Sequence, residues 1–478
     1  MRSGTVGRRF DHLEGARRVK QRSARGLTAA GALLAVFAFG TGSPGAQTLE
    51  EALIQAYESN PTLNAARAEL RSVNERVPQA LSDWRPLVEA EGRVGSAVDN
   101  VDRPTDRGSE SRSPVATDLN VTQPLYRGGR TVAGTERAEN EVFAQRAFLA
   151  DTEQSVLFDG VTVYADVWRD QSVLRLNQNN EQVLARQLEA TQDRFEVGEV
   201  TRTDVAQSES RLSTASADTI QAQGNLTSSR AAFENVIGVF PQLLDRPPGP
   251  RALPADQESV IGEAEAANPS VLAAQFTELA ALRTVREVKG ELYPEVELRG
   301  GLSYQNERSS RGSESRSAEV LAVVSVPLYQ QGSVSSRVRE AKQVASQRRL
   351  EVREALRQAR EDAISAWESL ETARAQIQAF QESVRANEIA LEGVRQENAV
   401  GARTVLDVLD AEQELLDAQV SLVGAQRDEI VASYQVLTAI GRMTAGDLAL
   451  PTDIYDPEVD YRAVRDTWFG LTAPGLTE

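Results

Sequence analysis

Apolar residues follow two different periods along this chain. Val115, Thr117, Leu119 and Val121 alternate with Ala116, Asp118, Asn120 and Thr122. Val296, Leu298, Gly300, Leu302 and Tyr304 alternate in the same way with Glu295, Glu297, Arg299, Gly301 and Ser303, and Val320, Ala322, Val324 and Val326 make a matching face. A period of two predicts strands with one apolar and one polar face. The stretches Asp99–Ser113 and Asn306–Ser317 are rich in Ser, Gly, Arg and Asp and predict solvated loops. The runs Leu125–Phe240 and Leu328–Leu450 are different, for they contain no proline and predict long helices. Their apolar positions are largely Ala and Val, which allows close helix packing or a wide ring of helices around a hollow.

Each long run carries one glycine-marked break. The second reads Val400-Gly401-Ala402-Arg403-Thr404-Val405-Leu406-Asp407-Val408-Leu409-Asp410, and the first, 203 residues earlier, begins Val197-Gly198-Glu199-Val200-Thr201-Arg202-Thr203-Asp204. Glycine sits where a helix can reverse, so each copy predicts the tip of a helical hairpin. From Thr131 to Val197 is 67 residues. As one helix that run would reach roughly 100 Å. The return helices, Thr203–Ile237 and Val405–Ile440, are shorter.

The whole arrangement occurs twice. Asn60-Pro61 recurs as Asn268-Pro269, the heptapeptide Arg107–Ser113 recurs as Arg311–Ser317, and Pro124-Leu125-Tyr126 recurs as Pro327-Leu328-Tyr329. Ordered matches of this length mark an internal duplication. The expected organisation is a signal segment 1–46, a first repeat 47–240, a linker 241–257, a second repeat 258–445 and a tail 446–478. Each repeat opens with helical segments, Thr48–Ser59 and Pro61–Leu81 or Glu258–Ala267 and Pro269–Lys289. Asn before Pro is a helix start, while Pro78 predicts a kink or an early end. A shorter return helix beside a longer one leaves a gap that Pro61–Leu81 and Pro269–Lys289 are placed to fill.

Alternation alone leaves two readings of the strands open: a half-buried sheet in a soluble domain, or a transmembrane β-barrel. The N-terminus weighs on this. Eight basic residues precede an apolar run, Leu27–Gly40, and small residues up to Ala46, the pattern of an export signal. The alternative there is a retained anchor. Losing that segment takes the formal charge from −18 to −24. So acidic a chain suits a cation-attracting surface and not nucleic acid. The sequence has no cysteine, which excludes disulfides, thiolate metal sites and a cysteine-linked lipid anchor. The only histidine, His12, lies in the signal segment. Without histidine or cysteine in the mature chain, catalysis would fall to carboxylates, and no cofactor or metal is expected. Trp168 and Trp367 read as packing residues, whereas Trp84, Tyr126, Tyr293 and Tyr329 lie near strand ends, where an interfacial aromatic belt would sit.

Signal, helices, strand pair, long helix, Val-Gly-x-x-Thr tip and return helix, all duplicated, resemble the TolC family of outer membrane efflux proteins. The resemblance runs from Thr48 to Pro451, and its most specific marker is Val400–Ala411. It implies a mainly α fold with a small β part. In a homotrimer, each protomer would give four strands to one twelve-stranded barrel continuous with a periplasmic α-helical barrel. It also implies partners: a periplasmic adaptor, an inner-membrane transporter of RND, ABC or MFS type, and outer membrane lipid. Residue by residue, Arg403 matches an arginine that clamps the entrance, with Thr203 and Asp204 as its partners on a neighbouring tip. Asp407 and Asp410 match acids that ring the aperture. Val197, Gly198, Thr201, Val400, Gly401 and Thr404 form the tips that meet the adaptor. Asn398 stands where the family prototype has a tyrosine latch. Against this stand a coiled-coil envelope protein without a pore and a carboxylate-based periplasmic hydrolase.

Overall fold

The computed structural model describes residues 47–103 and 106–473. The expected signal segment lies outside the described residues. Two short helices open the chain, α1 (Leu49–Ser59) and α2 (Pro61–Asn74), followed by α3 (Arg76–Ser82). The α2–α3 break falls at Glu75, just after the residue four before Pro78, whose ring cannot coexist with a helical carbonyl there.

Strand β1 (Leu87–Val94) follows, then β2 (Ala97–Arg103), β3 (Asp106–Arg112) and β4 (Val115–Arg127). The long helix α4 (Arg130–Glu196) and its return α5 (Arg202–Ile237) complete the first repeat. The second repeats this order: α6 (Gln257–Ala267), α7 (Pro269–Gly290), β5 (Glu295–Asn306), β6 (Glu314–Ser325), α8 (Ser333–Ala399) and α9 (Val405–Ala439). A last helix, α10 (Pro457–Arg465), lies in the tail. Both α4 and α8 run 67 residues without interruption.

The expected loop Asp99–Ser113 is corrected. It is largely a hairpin, β2 against β3, with Asp99 opposite Glu110 and Val98 opposite Ser111. Asp99 accepts a bond from Arg112 at 2.7 Å. The ribbon carries no alternation of apolar and polar residues, so it leaves no period-two hydrophobic signal in the sequence. In the second loop β6 begins at Glu314, inside the stretch expected to be irregular.

The main sheet has the antiparallel order β1-β4-β5-β6. Its register sorts the faces: Ala90, Leu119, Leu302 and Ala318 lie in one row on one side, while Glu89, Asn120, Gly301 and Glu319 share the next row on the other. Along the apolar side Val88, Leu302, Val320 and Val324 are all more than half exposed. Edges β1 and β6 have no further strand beside them among the described residues.

Sheet and helices meet at a glycine crossing. Gly128 has φ +62°, and a Cβ there would come within 2.2 Å of the Gly290 carbonyl oxygen. Only glycine allows the β4–α4 and α7–β5 connections to pass this closely.

The core lies midway, where α1, α2, α4, α5, α6 and α9 converge on Tyr57, Leu63, Leu157, Tyr164, Phe233, Val260 and Ile440. Trp168 is buried and Trp367 packs against this core, as expected of packing residues. The Asn-Pro starts dock each repeat on its own return helix. Asn60 accepts from the Thr62 N–H at 2.9 Å and donates to the Val236 carbonyl at 2.9 Å. Asn268 repeats this with Ser270 at 2.9 Å and Ala439 at 3.0 Å. One side chain thus caps one helix start and satisfies an orphan carbonyl at another helix end. Helix α7 packs between α4 and α8, filling the expected gap. Among the described residues the matching outer side of α8 has no such helix.

Candidate functional site at the helix tips

The Val-Gly-x-x-Thr motif is explained residue by residue. Val197 ends α4, and Gly198 takes φ +80° and bonds back to the Phe195 carbonyl at 3.0 Å. Glu199 bonds to the Arg194 carbonyl at 2.9 Å. This pair of bonds is a Schellman stop, and it calls for glycine at the left-handed position. The second tip repeats it: Gly401 has φ +80°, with bonds to Asn398 at 3.0 Å and from Ala402 to Glu397 at 2.9 Å. Thr201 and Thr404 then cap the return helices through capping boxes with Asp204 and Asp407.

These boxes fix two of the candidate acids. Asp204 accepts from the Thr201 backbone and hydroxyl, both at 2.8 Å. Asp407 accepts from the Thr404 backbone at 2.8 Å and its hydroxyl at 2.7 Å. The Thr404 hydroxyl, then its backbone N–H, holds the Asp407 carboxyl below the usual carboxylate range.

Arg403 turns to its own hairpin. It donates to Glu397 at 2.9 Å and lies 3.9 Å from Asp407, and Glu397 raises its already high pKa. Within the protomer it meets neither Thr203, which is exposed, nor Asp204. Asp410 pairs with Arg211 of α5. Asn398 bonds to the Arg403 carbonyl at 2.9 Å and accepts from Arg194 of the other tip at 3.5 Å, so the amide does link the tips.

Sequence reasoning missed Arg194, Arg211 and Glu397. The offset of 203 places Gln207 opposite Asp410, and Arg211 lies one helical turn beyond Gln207, which would have found that pair. A small apolar cluster of Leu184, Leu212, Ala215, Val405 and Leu409 holds the hairpins together below the tips. Val197 and Val400, in contrast, are 72% and 81% exposed. A Cβ at Gly198 or Gly401 would meet nothing within 4 Å, so both tips present an open surface. No group of acids among the described residues could hold a metal ion.

The chain matches the family model described as outer membrane efflux protein over residues 52–239 and 260–442, one match per repeat. It is 35% identical to the outer membrane efflux protein BepC of Brucella suis biovar 1 over 429 residues, covering 90% of this chain and 92% of that protein. It is 28% identical to the outer membrane protein TolC of Vibrio cholerae serotype O1, covering 84% and 92% of the two chains. In three dimensions it is similar to the outer-membrane channel OprN, with a TM-score of 0.74 and 21% identity over 82% of this chain and 89% of that one. All three are named as outer membrane proteins, and OprN is described as a channel. On its duplicated fold and on these matches, the chain belongs to the outer membrane efflux protein family, of the TolC type.

Proposed function

We propose that three copies of this chain close into one duct, with their sheets joined as a twelve-stranded barrel and their helices as a periplasmic tunnel. The observation that carries this is the sheet: four strands, one exposed apolar face and two unpaired edges, β1 and β6. Lipid leaves no solvent for edge N–H and C=O groups, so such a sheet is stable in a membrane only if other copies complete it. The duplication says how. Helix α7 packs between α4 and α8, so α2 and α3 of a neighbouring copy would occupy the matching outer side of α8.

The duct is passive. Substrates, either small molecules such as drugs or secreted proteins, are driven in by an inner-membrane pump through a periplasmic adaptor that docks at the exposed tips. The tips form the gate. Arg403 is half exposed and bonded within its own hairpin; in the trimer it would turn to Thr203 and Asp204 on a neighbouring tip, and Asp407 and Asp410 would line the opening.

The chain has no cysteine, so paired introductions are clean probes. Ala318→Cys on β6, paired in turn with single cysteines along β1 from Leu87 to Val94, should give oxidatively linked trimers in the outer membrane at the register that the stagger of the barrel sets. Monomers at every pairing would refute closure through these edges. In planar bilayers Arg403→Ala should raise resting conductance without changing the sign of selectivity, and an unchanged conductance would remove the clamp.

A further inference from the structure

The C-terminal tail returns to the level where the strands begin. Helix α10 lies on α2, α3 and α4, fixed by Arg146, which donates to Glu458 at 2.8 Å and lies 5.2 Å from the Tyr461 ring and 5.5 Å from that of Phe143. Arg465 reaches Glu139 of α4 at 3.3 Å. Beyond α10, Arg85 donates to the Thr467 carbonyl at 2.7 Å, and its guanidinium lies 5.0 Å from the Trp468 ring. Arg85 stands two residues before β1. The tail is therefore tied to the foot of the sheet.

What it presents there is apolar. Trp468, Phe469 and Leu471 are 63%, 90% and 97% exposed. Three large apolar side chains within four residues, following a fixed helix and mostly exposed, call for an apolar partner. At the same level Trp84, Leu87, Val88 and Tyr126 are exposed at the ends of the strands. Tryptophan suits a membrane boundary, because its ring has an apolar body and an N–H that reaches headgroups or water.

We propose that Trp468-Phe469-Gly470-Leu471 inserts into the phospholipid leaflet on the helical side of the outer membrane, extending the aromatic belt of the strands. The segment is a second, non-strand contact between this chain and lipid. It lies in the plane of the interface and does not span the membrane. The occupant is lipid because Arg85 ties the segment to the start of β1, the level at which the exposed apolar face of the sheet begins. The inference rests on that reading of the sheet.

The test uses the full protein reconstituted in phosphatidylethanolamine–phosphatidylglycerol vesicles with brominated acyl chains. Subtracting the fluorescence of Trp468→Phe from that of the unaltered protein isolates Trp468, and Trp84→Phe isolates Trp84 in the same way. Trp468 should lose most of its emission to the brominated lipid and be shielded from aqueous iodide. Quenching of Trp84 but not Trp468 would overturn the tail proposal, whether iodide reaches Trp468 or protein buries it. If neither residue is quenched, the sheet itself is not in lipid, and both readings fail.

Discussion

Arg211 on α5 and Asp410 on α9 form an ion pair that ties the first hairpin to the second. The acid expected to stand free in a charged ring is thus matched by a guanidinium of its own protomer. Side-chain exposures of 38% and 50% put the pair near solvent. Such pairs contribute about 0–1 kcal/mol and are weakened by salt. If Asp410 lines the opening as proposed, Arg211 would set how much negative charge it shows to a passing ion.

Arg211→Ala should therefore raise the cation preference of the reconstituted channel at low salt while the trimer stays folded. Adding Asp410→Asn to that variant should return the preference to near its starting value. Reversal potentials under a salt gradient read both effects. An Arg211→Ala channel with unaltered selectivity would place Asp410 away from the ion path.

At Gly401 the backbone φ of +80° and the empty space around it separate two roles. A leucine there would strain the turn by roughly 1–2 kcal/mol, the cost of a left-handed L-residue. It would meet no atom of its own protomer within 4 Å at the Cβ. Gly401→Leu should leave trimers in the outer membrane yet abolish export, because the added bulk occupies the surface offered to the adaptor. Export at the unaltered rate would exclude docking at this tip.

Asn268 carries two jobs with one amide. Asn268→Ala removes the cap on α7 and leaves the Ala439 carbonyl without its 3.0 Å side-chain donor. Together these losses should cost about 1–3 kcal/mol. Asn268→Ser should keep an oxygen to cap α7 and lose the bond to the Ala439 carbonyl. Thermal unfolding of the detergent-solubilised trimer should rank the unaltered chain above Asn268→Ser, and that above Asn268→Ala. An Asn268→Ala protein as stable as the unaltered chain would show that neither bond matters.

Most of this fold was legible because its signals are local. The Asn-Pro starts, the glycine stops and the proline-free runs each specify an element through backbone chemistry, and the duplication checks every one twice. The helix boundaries accordingly fall within a residue or two of those expected. Hairpin β2–β3 was not legible, since its ribbon carries no hydrophobic alternation. The tips were legible as a motif, but their ion pairs were not. Arg403 meets Glu397 across the turn of its own hairpin, at a spacing that no helical period flags, and only a contact with Asp204 would depend on how two hairpins lie side by side. The second bond of Asn268 is hidden because its partner lies 171 residues away.

The last prediction concerns acid. Asp407 is held below the ordinary carboxylate range by Thr404, first through the hydroxyl and then through the backbone N–H, with Arg403 adding to the effect. A depressed folded pKa means that the capping contribution is complete above the unfolded value of about 3.9 and fades only as pH falls through the lower, folded value. On the proposed reading, the charge that Asp407 gives the aperture follows the same course. The share of the cation preference that Asp407 supplies should therefore hold as the pH is lowered to that of a free aspartate and decline only below it. Thr404→Ala removes the first of the two bonds, so its decline should begin at higher pH, while the N–H bond still keeps it below that of an unbonded carboxyl. In Asp407→Asn that part of the titration should vanish. Reversal potentials measured across the acidic range on the three proteins check the order. If Thr404→Ala titrates with the unaltered channel, the selectivity of the aperture does not come from Asp407.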